Sequence, residues 1–166
     1  MRFEIPEQKK LTNECVIPIR WGDMDAMGHV NNTVYFRYLE IVRIAWFDLI
    51  GCAPDPKGEG PVIVNAFCNF QKQVEYPGSL LVKHFVCNPG RTSIDSYTTI
   101  ERTDQPGLVY ASGGATIVWT NYDPVGKRFI YAGQDGATRS ANKKTQFGNW
   151  GPRIGLAWVI SGKATT

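Results

Sequence analysis

Long apolar runs are missing from this sequence: no window approaches the ~18 consecutive apolar residues that cross a bilayer. The first ten residues, MRFEIPEQKK, carry charge and proline where a secretory leader has an apolar stretch. Histidine is scarce, with two residues, and the four cysteines (Cys15, Cys52, Cys68 and Cys87) show neither a CxxC spacing nor a nearby histidine cluster. These gaps exclude the usual zinc patterns and point to free thiols in a reducing compartment. Blocks of like charge are missing too: the net charge of +3 is spread thinly, and Lys9-Lys10 and Lys143-Lys144 are too small to be a nucleic-acid footprint. No GxGxxG or GxxxxGKS/T follows a strand pattern, so there is no nucleotide loop. Cytoplasmic location is the resulting expectation, with no metal, no cofactor, no nucleic acid and no membrane.

What is present is ordinary globular material. A chain of 166 residues, 43% apolar and 20% charged, suffices for one well-covered core. Residues 15–21, CVIPIRW, alternate, with Cys15, Ile17, Ile19 and Trp21 on one face of an expected strand whose Pro18 suits an edge or a bulge. From Val34 the run VYFRYLEIVRIAWFDLIG has no glycine or proline before Gly51, which predicts a long helix stopping there. Its apolar arc is wide enough to require cover on most sides, and Arg37, Glu40 and Arg43 are spaced so that Glu40 can meet either arginine. The period then changes to two. VIVNAFCNF, LLVKHFVC, TSIDSYTTIE and LVYASGGATIVWT read as four strands separated by Pro77-Gly78, Asn88-Pro89-Gly90 and Gln105-Pro106-Gly107, an expected antiparallel meander. Gly113-Gly114 marks a bend or a close backbone approach. One strand, one long helix and four more strands make an α+β domain. Residues 133–149 follow neither period, and GLAWVI beyond them reads as a short strand or helix turn.

Between the first strand and the helix lies RWGDMDAMGHVNN, Arg20 to Asn32. Asn31, Asn32 or Thr33 supplies a helix cap. Amide N–H groups at the entrance, at Gly28 and its neighbours, are donors backed by the positive helix end. Such donors can polarise a carbonyl oxygen, while a nearby carboxylate, Asp23 or Asp25, attacks the carbonyl carbon or deprotonates a water. That is the equipment for hydrolysing an activated acyl compound. His29 adds a ring of the kind that titrates near neutral pH. Arg91, with Thr92 and Ser93, offers a fork suited to phosphoryl oxygens. Met24 and Met27 can shape an adaptable apolar pocket.

This stretch resembles the start of the hotdog-fold thioesterases of the 4-hydroxybenzoyl-CoA thioesterase type. Their pattern of aromatic-Gly-Asp-x-Asp, a glycine-containing loop, an Asn-containing helix start and an aromatic pair is matched by Trp21, Gly22, Asp23, Asp25, Gly28, Asn32, Tyr35 and Phe36. Tyr76-Pro77-Gly78 and Gly90-Arg91-Thr92-Ser93 are similar to that family's turn and hairpin, and the likeness covers roughly residues 12–131. It implies an antiparallel curled sheet wrapping one long central helix over residues 1–131, with 132–166 an extension of uncertain structure. It also implies an acyl-CoA thioesterase in which Asp25 is nucleophile or general base, with Gly28 or a neighbour as the polarising N–H. His29 would orient or deprotonate water. Asn31 and Tyr35 would line the substrate site, and Arg91, Thr92 and Ser93 would meet coenzyme A phosphates, reached from a neighbouring subunit of a homodimer or homotetramer. Two features depart from the aromatic-acyl members. Ala26-Met27 stands where they have Pro-Ala, and His29-Val30-Asn31-Asn32 is similar to the His-Val-Asn-Asn of acyl-ACP thioesterases, which admits acyl carrier protein as a partner. The alternatives are a hydro-lyase acting on hydroxyacyl thioesters and a non-catalytic acyl-CoA-binding dimer.

Overall fold

Residues 4–52, 59–123 and 128–131 are described by the computed structural model. They form β1 (Lys10–Pro18), a single 3-10 turn (Trp21–Asp23), α1 (Asn32–Leu49), β2 (Glu59–Phe70), β3 (Ser79–Cys87), β4 (Ser93–Arg102), β5 (Val109–Asp123) and β6 (Arg128–Tyr131). GLAWVI and the rest of the 132–166 extension lie outside the described residues. The expected strand over 15–21 is displaced. β1 ends at Pro18, and Trp21 opens the 3-10 turn, 78% exposed instead of on the inner face. The reason is local: Asp23 Oδ2 accepts the Arg20 N–H at 2.9 Å, and this turns the chain before Trp21 can pair.

All pairings are antiparallel, in the order β1-β3-β4-β5-β2, with β6 on β5. Two expectations fall here. The four strands after the helix are not a simple meander, because β2 crosses to the far side and pairs with β5 (Ala66 opposite Ala115) instead of β3. Nor is there a curled sheet wrapping the helix: the sheet is open, and its edges β1 and β2 are unjoined among the described residues. What stands is an α+β, hotdog-like arrangement of one long helix on one antiparallel sheet. On an open sheet, dimensions leave part of the inner face uncovered. Five strands at ~4.8 Å spacing span ~19 Å between edge axes, whereas a helix with its side chains is only ~10–12 Å across. α1 accordingly rests mainly on β1 and β3 and touches β2 and β5 less.

The helix buries Tyr35, Tyr38, Leu39, Val42, Trp46 and Phe47, a stripe at helical spacing. Asn31 caps it, accepting the Thr33 N–H at 2.9 Å, and Gly51, at φ +67°, ends it in the left-handed region. Cover on most sides is not what the chain itself provides, since Phe36, Ile41, Ile44 and Leu49 remain exposed. On β3 and β4 burial alternates up to Val86 and Ile100: Leu80, Val82, His84 and Val86 face inward, as do Ile94, Ser96, Thr98 and Ile100.

His84 is the polar residue at the centre of this core. Its Nδ1 lies 2.6 Å from Thr12 Oγ1, its Nε2 lies 2.8 Å from Ser96 Oγ, and its ring stacks on Trp46 at 5.0 Å. Thr12 has Asn13 Oδ1 and the His84 carbonyl as acceptors for its own proton. It therefore accepts from Nδ1–H, and Nε2 accepts from the Ser96 hydroxyl. Burial, reinforced by Arg43, lowers the His84 pKa to about 3.

That shift has a sign. Because the folded pKa lies below the ordinary histidine value, the unfolded chain binds the proton more readily. Stability from this group is thus complete above about pH 6.5 and falls with decreasing pH by up to ~1.4 kcal/mol per unit. Urea titrations should show this slope between pH 6.5 and 5, where few carboxylates titrate, and its loss in His84→Gln.

Candidate active site

The segment between β1 and α1 is a closed loop held at both ends. Met24 and Val30 form an antiparallel bridge, the Asp25 N–H donates to the His29 carbonyl at 2.7 Å, and the Asn31 N–H donates to the Asp23 carbonyl at 2.9 Å. Gly28 sits at the tip at φ +81°, a conformation that other residues adopt only with strain. The Val30 N–H donates to the Val74 carbonyl at 2.8 Å, tying the loop to the segment before β3.

The two aspartates diverge. Asp23 is buried at 9% exposure, and its Oδ2 accepts both the Arg20 N–H (2.9 Å) and the Tyr38 hydroxyl (2.8 Å). Burial and then the Asp23 carboxylate push the Tyr38 phenol far above its ordinary pKa, so it stays a donor. Asp25 is half-buried, and its Oδ1 accepts the Met27 N–H at 2.8 Å and the His29 N–H at 3.3 Å. Its Oδ2 has no partner among the described residues.

Asp25, His29, Asn32 and Tyr35 line one cleft of ≈ 630 Å³ with Phe70, Gln71, Lys72 and Gln73. This is within the size range of small-molecule sites. Burial raises the Tyr35 pKa, with the Val74 backbone opposing. Its ring meets Phe70 edge-on at 5.0 Å, forming an apolar wall. His29 Nε2 stands 3.7 Å from Glu75 Oε1.

The amides fall out differently from expectation. Gly28 N–H is not open: it donates to the Asp25 carbonyl at 3.1 Å. From Gly28 to Val34 the N–H without an acceptor, among the described residues, is that of Asn32, which lines the cleft. Asn31 is occupied as the cap, its Oδ1 accepting from both the amide and the hydroxyl of Thr33. Arg91, Thr92 and Ser93 are not brought to the cleft within one chain. They follow the far end of β3, whose nine residues extend ~30 Å from the loop-proximal Ser79. Sequence reasoning missed Gln71, Lys72 and Gln73, a polar run between Phe70 and Val74 that carries no motif. Only the abrupt polarity after a strand pattern could have drawn attention to it. Among the described residues no cluster of His, Cys, Asp and Glu is disposed to hold a metal. None of their helices is long and apolar enough to cross a membrane.

Residues 19–132 match the thioesterase-like superfamily. Among solved structures the chain is similar to a thioesterase candidate from Pseudomonas aeruginosa, the PA2801 protein, at 33% identity and a TM-score of 0.66, over 74% of this chain and 93% of that one. It is similar as well to an acyl-CoA thioesterase candidate from Xanthomonas campestris (29% identity, TM-score 0.60, 74% of this chain and all, 100%, of that one). A DHNA-CoA thioesterase from Staphylococcus aureus shares the fold at 19% identity and a TM-score of 0.62, covering 71% of this chain and 78% of that one. A curated relative, the uncharacterized Bacillus subtilis protein YsmA, is 31% identical over 58 residues. That match takes in 35% of this chain and only 40% of YsmA.

Because Asn31 holds the first turn, Asn31→Ala should cost ~1 kcal/mol of folding stability. Asn31→Ser or Asn31→Asp should retain most of it, with urea midpoints as the readout.

Proposed function

The chain belongs to the thioesterase-like superfamily and is a thioester hydrolase, and on that premise we propose that it hydrolyses an acyl-CoA thioester with the Asp25 carboxylate as nucleophile or general base. The observation that carries this reading is that Asp25 and Asn32 line one cleft, the first with an Oδ2 and the second with an N–H that have no partner among the described residues. As general base, Oδ2 removes a proton from water while the water oxygen adds to the thioester carbonyl carbon. The carbonyl oxygen takes the negative charge and is stabilised by Asn32 N–H at the positive end of α1. The C–S bond then breaks, the thiolate departs and the proton held by Asp25 ends on sulfur. A thiolate leaves readily, so no strong general acid is required. As nucleophile, Oδ2 adds directly, the thiolate leaves from an acyl–Asp25 anhydride, and water then hydrolyses that anhydride. Tyr35 and Phe70 supply an apolar wall for the acyl group.

Coenzyme A is the carrier this reading favours, with acyl carrier protein as the other candidate. Arg91 with Thr92 and Ser93 can serve the carrier's phosphates only from a second copy, given their distance from the cleft in one chain. A homodimer is supported by two surfaces: the open edge of β2, which shows Val64 and Phe70 at 46% and 47% exposure, and the uncovered helix residues Ile41 and Ile44. The His29–Glu75 approach of 3.7 Å is what a hydro-lyase would need; released thiol excludes that reading, and a hydrated or dehydrated thioester would support it.

Asp25→Asn should fold, bind acyl-CoA and lose at least ~10²-fold in kcat, measured as thiol release across an acyl-CoA panel. Wild-type turnover in that variant removes Asp25 from the reaction. Arg91→Ala should raise KM for acyl-CoA while sparing a pantetheine thioester that lacks the nucleotide phosphates; equal effects on both refute the phosphate contact.

A further inference from the structure

A second cavity, of ≈ 470 Å³, lies between α1 and the inner face of β2, β4 and β5, lined in part by Leu39, Arg43, Phe67, Ser96 and Thr98. It shares no lining residue with the Asp25 cleft. It exists because α1 rests mainly on the β1 and β3 side of an open sheet, and because its floor is built from small groups. Ala111, Gly113 and Ala115 of β5 stand opposite Ile100, Thr98 and Ser96 of β4. A Cβ at position 113 would come within 2.6 Å of Leu39 Cδ2 and 2.7 Å of the Phe67 carbonyl, so only glycine leaves this space without displacing the Leu39 side chain and the β2 backbone.

Three polar groups converge there. Thr98 is 2% exposed, yet its hydroxyl has no hydrogen bond among the described residues. Buried hydroxyls are ordinarily satisfied, so an unfilled one facing a cavity signals a missing acceptor. Arg43 is half-buried, and none of its N–H donors has an acceptor among the described residues. Glu40, one turn away, forms no ion pair with it, although its charge opposes the lowering of the Arg43 pKa by burial. Ser96 uses its hydroxyl hydrogen in the bond to His84 Nε2, so its lone pairs remain as acceptors.

The Ser96–His84–Thr12 chain has the connectivity of an activated nucleophile. The chemistry does not follow, because a histidine titrating at about 3 is too weak a base to draw the serine proton at neutral pH. The cavity binds; it does not react. Its chemistry also limits the ligand. A planar guanidinium matches a carboxylate in two parallel hydrogen bonds, and the Thr98 hydroxyl adds a third donor. A phosphate dianion would bring excess negative charge beside Glu40. Leu39 and Ile63 form a wall that an apolar body of a few carbons can bury against.

We propose that this cavity is a second ligand site, separate from the Asp25 cleft, that takes a small molecule joining a carboxylate to a short apolar body. Hexanoate and its neutral counterpart hexanamide are suitable probes, titrated by calorimetry into the full chain without any thioester present. The wild type should bind hexanoate about tenfold or more tightly than hexanamide, and Arg43→Met, which keeps the apolar stem, should lose about tenfold or more of hexanoate affinity. Thr98→Val, which keeps the shape and removes the donor, should weaken hexanoate several-fold and leave thiol release from acyl-CoA unchanged. Asp25→Asn should bind hexanoate as the wild type does. Absence of hexanoate binding, equal affinity for acid and amide, full affinity in Thr98→Val, or loss of affinity in Asp25→Asn would each overturn the proposal. The acid–amide comparison and Thr98→Val decide it even if Arg43→Met does not fold.

Discussion

A buried hydrogen bond of 2.8 Å, from the Tyr38 hydroxyl to Asp23 Oδ2, holds the functional end of the molecule together. Tyr38 sits in the second turn of α1, while Asp23 closes the 3-10 turn after β1, so this contact fixes the entering chain to the helix it is about to become. The same carboxylate oxygen takes the Arg20 N–H, and the Asp23 carbonyl takes the Asn31 N–H. Hydrogen bonds to a charged acceptor stabilise by roughly 1.5–3 kcal/mol each, and a buried carboxylate deprived of them costs more than their sum suggests. The loop from Met24 to Val30 therefore has no freedom to drift away from the helix entrance. Asp25, carried on that loop, inherits its position.

A second constraint is simple width. One helix cannot cover five strands, and the placement of α1 over β1 and β3 divides the inner face of the sheet into a well-packed half and a loosely filled half. The packed half holds Val42, Leu80, Val82 and Ile100, all without exposure. The other half packs Ile94 and Ile117 on Trp46 and Phe47 at one end, but beside them it carries Gly113, Ala115, Ser96 and Thr98, smaller groups than the leucine and isoleucine that fill a fully covered sheet. The cavity beside Arg43 and the uncovered helix residues follow from the same off-centre seat.

How much of this was legible in the sequence depends on the kind of signal. Period and punctuation are local, so the helix from its asparagine cap to Gly51 and the later strands were readable to within a few residues. Partner choice is not local. Alternation says which face of β2 is buried and nothing about whether its neighbour is β3 or β5. The meander failed for that reason; the curled, wrapping sheet came from the resemblance instead, and it failed because the sheet is open. Trp21 was assigned to an inner face by counting twos past Pro18, where a side chain–backbone bond from Asp23 had already ended the strand. Gly28 was a sound choice for a loop tip but not for an open amide, because the turn that needs its positive φ also uses its N–H. Arg91 was chosen for its chemistry, and chemistry does not report a strand's length of separation. The inward row Ile94, Ser96, Thr98, Ile100 lies within a segment read only as a strand, and its meaning depended on what stood across from it.

Asp23 and Asp25 make the same point at the scale of single atoms. They are identical residues two positions apart, and nothing in their spacing separates a structural role from a chemical one. Their burial and their hydrogen-bond donors do. Asp23 has one oxygen holding a backbone amide and a phenol in a buried setting, so protonating or moving it would break the loop's anchorage. Asp25 uses one oxygen to hold its own loop and leaves the other facing a cleft. A carboxylate can accept a proton or attack a carbon only through an oxygen that is not already committed, and it can do so repeatedly only if the remaining oxygen keeps it in place. Asp23 also holds two donors on one oxygen, but it is buried away from the cleft, whereas Asp25 is half-buried and lines it; the anchorage of the first carboxylate is what allows the second to be exposed without being mobile.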